Sequence, residues 1–206
     1  MLGLACAAVL LALVLRGSAA PAPGPFYTPP ARLPPGGPGT IIRDELIPDF
    51  YPGAKAYRVL YESTGLRGRP TAVSGLIVVP EGPAPGRPRH VVAFAHDTVG
   101  VASGCAPSLQ GADGADIIEG LGEFIAAGDV VAATDYQGLG TSGANPYLVG
   151  RVEAMNVLDS VRAAHRLPAA DAGVQFAVWG QSQGGHASLF TGQIAAGYAP
   201  GLRLVG

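Results

Sequence analysis

The sequence predicts an α/β fold in which an N-terminal antiparallel hairpin leads into a parallel sheet with helices on both faces. Three observations carry that expectation. Early β-branched and aromatic runs are separated only by turn residues, and later short apolar runs alternate with segments of helical period. In addition, 48% of the 206 residues are hydrophobic against 14% charged. That balance suits one domain with a sizeable core and argues against general disorder.

The first segment, residues 1–20, has an apolar run over 2–15 followed by Gly17, Ser18, Ala19 and Ala20, the small residues a signal peptidase needs near its cut. The run is shorter than the roughly 20 residues that span a bilayer. It therefore reads as a signal peptide, and the chain is expected to be secreted. An uncleaved anchor is the competing reading, because Arg16 comes late and the start carries no positive side chain. Residues 21–39 are too rich in Pro and Gly for a helix or a ladder and read as an arm or linker. The domain proper is expected over 40–206.

Residues 57–64 and 72–79, separated by Gly65, Gly68 and Pro70, read as the hairpin. Strands are expected over 90–95, 130–135 and 174–179. Helices are expected over 113–127 and 151–166, ended by Gly128 and Pro168. The segment 202–206 reads as the start of a further strand, and no repeat of solenoid length occurs.

The chemistry begins at Gly180-Gln181-Ser182-Gln183-Gly184-Gly185, between an apolar strand and a segment of helical composition, 187–196. Strand, sharp turn, helix is the setting of a nucleophile elbow. There a strained backbone lifts a serine hydroxyl above the sheet, and the glycines two before and two after it are needed because a Cβ would strike the neighbouring strand or helix. Ser182 is thus the candidate nucleophile of an α/β-hydrolase fold, at a helix N-terminus that favours developing negative charge. The alternative, a flexible glycine turn, does not account for the flanking strand and helix.

Acyl transfer also needs two N–H donors aimed at a tetrahedral oxyanion. One comes from the residue after the nucleophile, Gln183. The other comes from the loop after an earlier strand, Phe94-Ala95-His96-Asp97-Thr98, and is assigned to Asp97 or Thr98. His96 reads as a histidine that braces this loop, with pocket lining as its second role. At the end of a third strand, Asp135-Tyr136-Gln137-Gly138-Leu139-Gly140 offers Tyr136 and Gln137 as pocket lining, while Asp135 reads as a partner of nearby backbone.

Other classes find little support. The net charge of −2 and the scattered arginines leave no basic stripe for nucleic acid. His90, His96, His165 and His186 are not spaced as metal ligands, so neither a metal nor an organic cofactor is expected. With Cys6 in the signal segment, Cys105 stands alone in the remaining chain.

Taken together, His96-Asp97-Thr98, Cys105-Ala106-Pro107-Ser108, Asp135-Tyr136-Gln137-Gly138-Leu139-Gly140 and Gly180-Gln181-Ser182-Gln183-Gly184-Gly185-His186 resemble the secretory lipase family, over roughly 48–206. The resemblance implies a secreted triacylglycerol lipase or broad carboxylesterase, with Ser182 as nucleophile and Asp97 and Gln183 around the oxyanion. It further implies that Cys105 pairs with a cysteine beyond this chain. A lipid or other ester substrate is expected, with a membrane or lipid-droplet surface met only through that substrate and no obligate protein partner. The alternatives are another serine hydrolase or acyltransferase of this fold, or a non-catalytic relative that binds an apolar ligand.

A serine triad of this fold takes its acid and its base from positions after the nucleophile. Here Ser182 is followed by no Asp or Glu and by one histidine, His186, which is expected one helical turn along and badly placed to act as base. The sequence therefore reads as the front portion of a longer enzyme, ending after the elbow helix and inactive when alone.

Overall fold

The computed structural model describes residues 22–84 and 88–206, so the expected signal peptide lies outside the described residues. These residues form a seven-stranded sheet from β1 (Ile41–Tyr51), β2 (Ala54–Thr64), β3 (Pro70–Pro80), β4 (Arg89–Ala95), β5 (Val130–Thr134), β6 (Ala172–Gly180) and β7 (Arg203–Leu204). Their spatial order is β1-β2-β3-β5-β4-β6-β7. The β1, β2, β3 and β5 contacts are antiparallel, whereas β5, β4, β6 and β7 run parallel.

The hairpin of the sequence reading is thus two strands of a three-stranded meander. The strand that pattern analysis misses, β1, lies at the sheet edge with a register shift between Ile47 and Tyr51. It buries little besides Ile47 and Phe50. Without a buried face it has no clean alternation, and its Pro48 is tolerable because an edge strand can forgo a ladder donor.

The central strands read as unbroken apolar runs because both their faces are covered. On one face Val91, Ala93, Val130, Ala132 and Phe176 pack with Val157, Leu158 and Val161 of helix α2 (Gly150–Arg166) and Ala187 and Ala195 of helix α3 (Gln183–Tyr198). On the other, Val92, Phe94, Val131 and Ala133 meet Ile118, and also Leu121 of helix α1 (Leu121–Ala127). Fully burying a side chain such as Phe176 contributes about 1.5–3 kcal/mol. The expected helix over 113–127 is not continuous. Residues Pro107–Ile117 form 3-10 turns, Gly120 sits at φ 81, and only Leu121–Ala127 is α-helical. Gly120, in the left-handed region, interrupts the helix, although the apolar spacing survives because Ile118 and Leu121 both reach the same core.

The described part of the Pro/Gly-rich arm, 22–39, is docked on the domain. Tyr27, in a 3-10 turn at Pro25–Tyr27, is buried and hydrogen-bonds Ser108 Oγ at 2.9 Å, while Arg43 donates to Pro25 O. Gly39, at φ 82, lies so close to Arg162 of α2 that no Cβ would fit.

Candidate active site

Strand β6 ends at Gly180, and α3 starts at Gln183 with Ser182 as its N-cap residue. Ser182 has φ 51 and ψ −117, a conformation that L-residues rarely adopt and that costs about 1–3 kcal/mol. The flanking glycines are dictated by contact. A Cβ on Gly180 would run into Ala95 O and the Gly184 backbone, and one on Gly184 would run into Ala95 and His96 O. Both collisions are with the end of β4, so the elbow is seated on the neighbouring strand as the sequence pattern requires. Ser182 is exposed, and among the described residues no side chain hydrogen-bonds its Oγ.

The register pairs Ala95 with Gly180, so the chain leaves β4 and β6 side by side. His96 is 2% exposed, with Nδ1 2.6 Å from Asp97 O and Nε2 3.3 Å from Asp135 O, and Tyr136 donates its hydroxyl to His96 O at 3.1 Å. These bonds brace the loop. They also fix the Asp97–Thr98 peptide plane, because an anchored Asp97 carbonyl sets the opposite direction of the Thr98 N–H. Asp97 and Thr98 are both exposed, and Thr98 Oγ1 lies 3.0 Å from Tyr147 Oη. Asp97 and Gln181 line one cleft of about 240 Å³ with Phe94, Val99 and Ile117. A larger cavity of about 480 Å³ lies at the β1–β2 turn, at the opposite end of the parallel strands.

The third motif is structural in its geometry. Asp135 is 1% exposed and accepts from Ser74 Oγ at 2.6 Å, Ser108 Oγ at 2.5 Å and the Ser108 N–H at 3.0 Å. Burial pushes its carboxyl above the ordinary carboxylate range, and the hydrogen bonds from Ser108 and Ser74 offset part of that rise. Tyr136 is buried at φ 64, its hydroxyl raised by burial and then by the charge of Glu153. Gln137 turns its carboxamide to the Leu66 N–H at 3.2 Å, and its own N–H goes to Asn156 Oδ1. Its polar group therefore holds the turn at Gly65 and Leu66.

Pattern analysis misses Glu153. On α2, 1% exposed, it accepts from Gln183 Nε2 at 2.7 Å, the Leu148 N–H at 3.1 Å and His186 Nδ1 at 2.9 Å. The sequence shows only a glutamate in the first turn of an amphipathic helix, 30 residues from the elbow it touches. His186 is thereby committed to Glu153, with its ring against Phe190. Cys105 is unpaired among the described residues and abuts Gly100. These residues contain no metal-holding cluster and no helix long and apolar enough to cross a membrane.

Comparison with known proteins gives this geometry a context. Residues 114–206 match the family model described as secretory lipase. A protein of Mycobacterium tuberculosis (strain CDC 1551 / Oshkosh) named a probable inactive lipase is 29% identical across 90% of this chain and 44% of its own length. Lipase A of Moesziomyces aphidis is 27% identical across 100% of this chain and 47% of its own. The closed state of Candida antarctica lipase A superposes with a TM-score of 0.74 and 26% identity, over 91% of this chain and 46% of that one. The rice cell wall degrading esterase LipA of Xanthomonas oryzae, at 24% identity and a TM-score of 0.69, shares the fold. The chain thus spans about half the length of the curated relatives it matches.

Proposed function

We propose that this chain, whose residues 114–206 match the secretory lipase family model, supplies the nucleophile and oxyanion donors of a secreted carboxylic ester hydrolase, with triacylglycerols or related lipid esters as substrates. The observation that carries this reading is the exposed Ser182 at φ 51 on the N-terminus of α3, seated on β4 by two obligatory glycines. In the reaction Ser182 Oγ attacks the ester carbonyl, the alcohol leaves, and water later releases the acid from the acyl-enzyme. The Gln183 N–H and that of Asp97 or Thr98 receive the oxyanion, each worth about 3–4 kcal/mol in the transition state. The base and acid of the triad are assigned to residues outside this sequence.

An apolar substrate is favoured by the exposed Val101, Tyr147, Leu148, Val149 and Leu189. Tyr147 is bonded to Thr98 of the oxyanion loop, and Leu189 lies two helical turns beyond Ser182. Secretion through residues 1–20 and a Cys105 disulfide with a residue beyond this chain belong to the same proposal. In the full-length protein, Ser182→Ala lowers turnover of a p-nitrophenyl ester by about a millionfold; turnover within tenfold of wild type contradicts the assignment.

A second reading, a non-catalytic relative that binds an apolar ligand, is favoured by one observation: a relative similar over 90% of this chain bears the name of a probable inactive lipase. Unaltered tight binding of a fatty ester with no turnover in the full-length protein would establish it.

A further inference from the structure

We infer that Glu153 is the positioning residue of the oxyanion site, a role that rests on the hydrolase reading above. Its carboxylate touches three separate pieces of the site. Oε1 accepts from the Gln183 carboxamide at 2.7 Å and from the Leu148 N–H at 3.1 Å, and Oε2 accepts from His186 Nδ1 at 2.9 Å. Gln183 and His186 lie one and four residues after Ser182, so a group on α2 grips the first turn of α3 from outside. That turn carries the Gln183 N–H.

The second grip is on the other donor. Leu148 stands at φ 57, an unfavourable backbone state for a branched side chain, and its N–H is held by Glu153. The adjacent Tyr147 holds Thr98 Oγ1 at 3.0 Å. One buried carboxylate therefore links the two halves of the oxyanion site, the elbow turn directly and the His96-Asp97-Thr98 loop through Tyr147.

Stability alone does not account for a charge at this position. A buried carboxylate incurs a desolvation cost that an apolar side chain of similar size avoids, and such replacements are often neutral or stabilising. Among the described residues, the Glu153 carboxylate hydrogen-bonds His186 and forms a salt bridge with no arginine or lysine. What an apolar side chain cannot do is fix three donors in direction at once. The N-terminus of α2, where Glu153 occupies the first turn, favours the charge that does so.

The test uses the full-length protein and p-nitrophenyl butyrate, with rates expressed per fluorophosphonate-titrated site so that misfolded molecules do not count. Glu153→Ala is expected to lower kcat by about a hundredfold with KM within about twofold, the signature of displaced transition-state donors. Glu153→Gln recovers most of that loss, because its carbonyl still accepts from Gln183 and Leu148 while a neutral His186 can offer Nδ1 as an acceptor. Should the alanine variant fail to fold, Glu153→Asp, which withdraws the carboxylate by one methylene, gives about a tenfold loss of kcat.

In a Gln183→Ala/His186→Ala/Tyr147→Phe background, adding Glu153→Ala changes kcat by less than about threefold if the residue acts through these partners. An unchanged kcat per titrated site in Glu153→Ala, or an undiminished loss in the triple background, overturns the inference. Ser182→Ala run alongside separates the two claims: labelling that persists without Ser182 defeats the hydrolase reading itself, whereas Ser182-dependent labelling together with an unchanged kcat per titrated site in Glu153→Ala defeats only the positioning role.

Discussion

Two parallel strands of this sheet end in the same backbone anomaly and put it to opposite uses. After β5, Tyr136 stands at φ 64; after β6, Ser182 stands at φ 51. Tyr136 is sealed in the core, with its ring 4.4 Å from that of His96 and its hydroxyl on His96 O. Ser182 is exposed, and its hydroxyl has no partner among the described residues. Strain alone therefore does not mark a reactive residue. At Tyr136 the surroundings offset the strain by burial, whereas at Ser182 they leave it beside a hydroxyl open to substrate.

Glycine substitution sharpens the contrast, since glycine relieves a positive φ in both places. Tyr136→Gly loses a buried aromatic and should cost about 4 kcal/mol in urea unfolding despite the relief. Ser182→Gly loses almost no packing and should stabilise by about 1 kcal/mol while eliminating activity. Equal signs at the two sites would break the comparison.

Much of this was legible in the sequence, for particular reasons. The elbow is written in adjacent residues, because Gly180, Ser182 and Gly184 must meet β4 within one turn. Strands β4, β5 and β6 announce themselves as apolar runs because both their faces are buried. Strand β1 was not legible, since an exposed edge carries no alternation, and the 113–127 segment misled because its apolar spacing is helical while its glycines are not. Glu153 was invisible because its role depends on α2 and α3 lying side by side, which no local pattern records. The Asp135 network, joining Ser74, Ser108 and through it Tyr27, hides in the same way.

That network yields a smaller test, on the buried strand end. The Asp135 carboxyl is raised by burial, so the folded state holds its proton more tightly than the unfolded state does. For such a group the stability contribution is fully present below the unfolded value near 3.8 and is lost as pH rises through the folded value. In the difference between Asp135→Asn and wild type, other groups cancel. That difference should shift in favour of wild type as pH is lowered from 7 to 4; a difference independent of pH would mean that the carboxyl is not raised.

The exposed strand end is tested most directly by mass-spectrometric mapping after a fluorophosphonate probe is applied to the full-length protein. The adduct is expected on the peptide bearing Ser182, at a single site, and absent after heat unfolding. An adduct on any other serine, or none on the folded protein, would contradict the assignment of Ser182 as nucleophile.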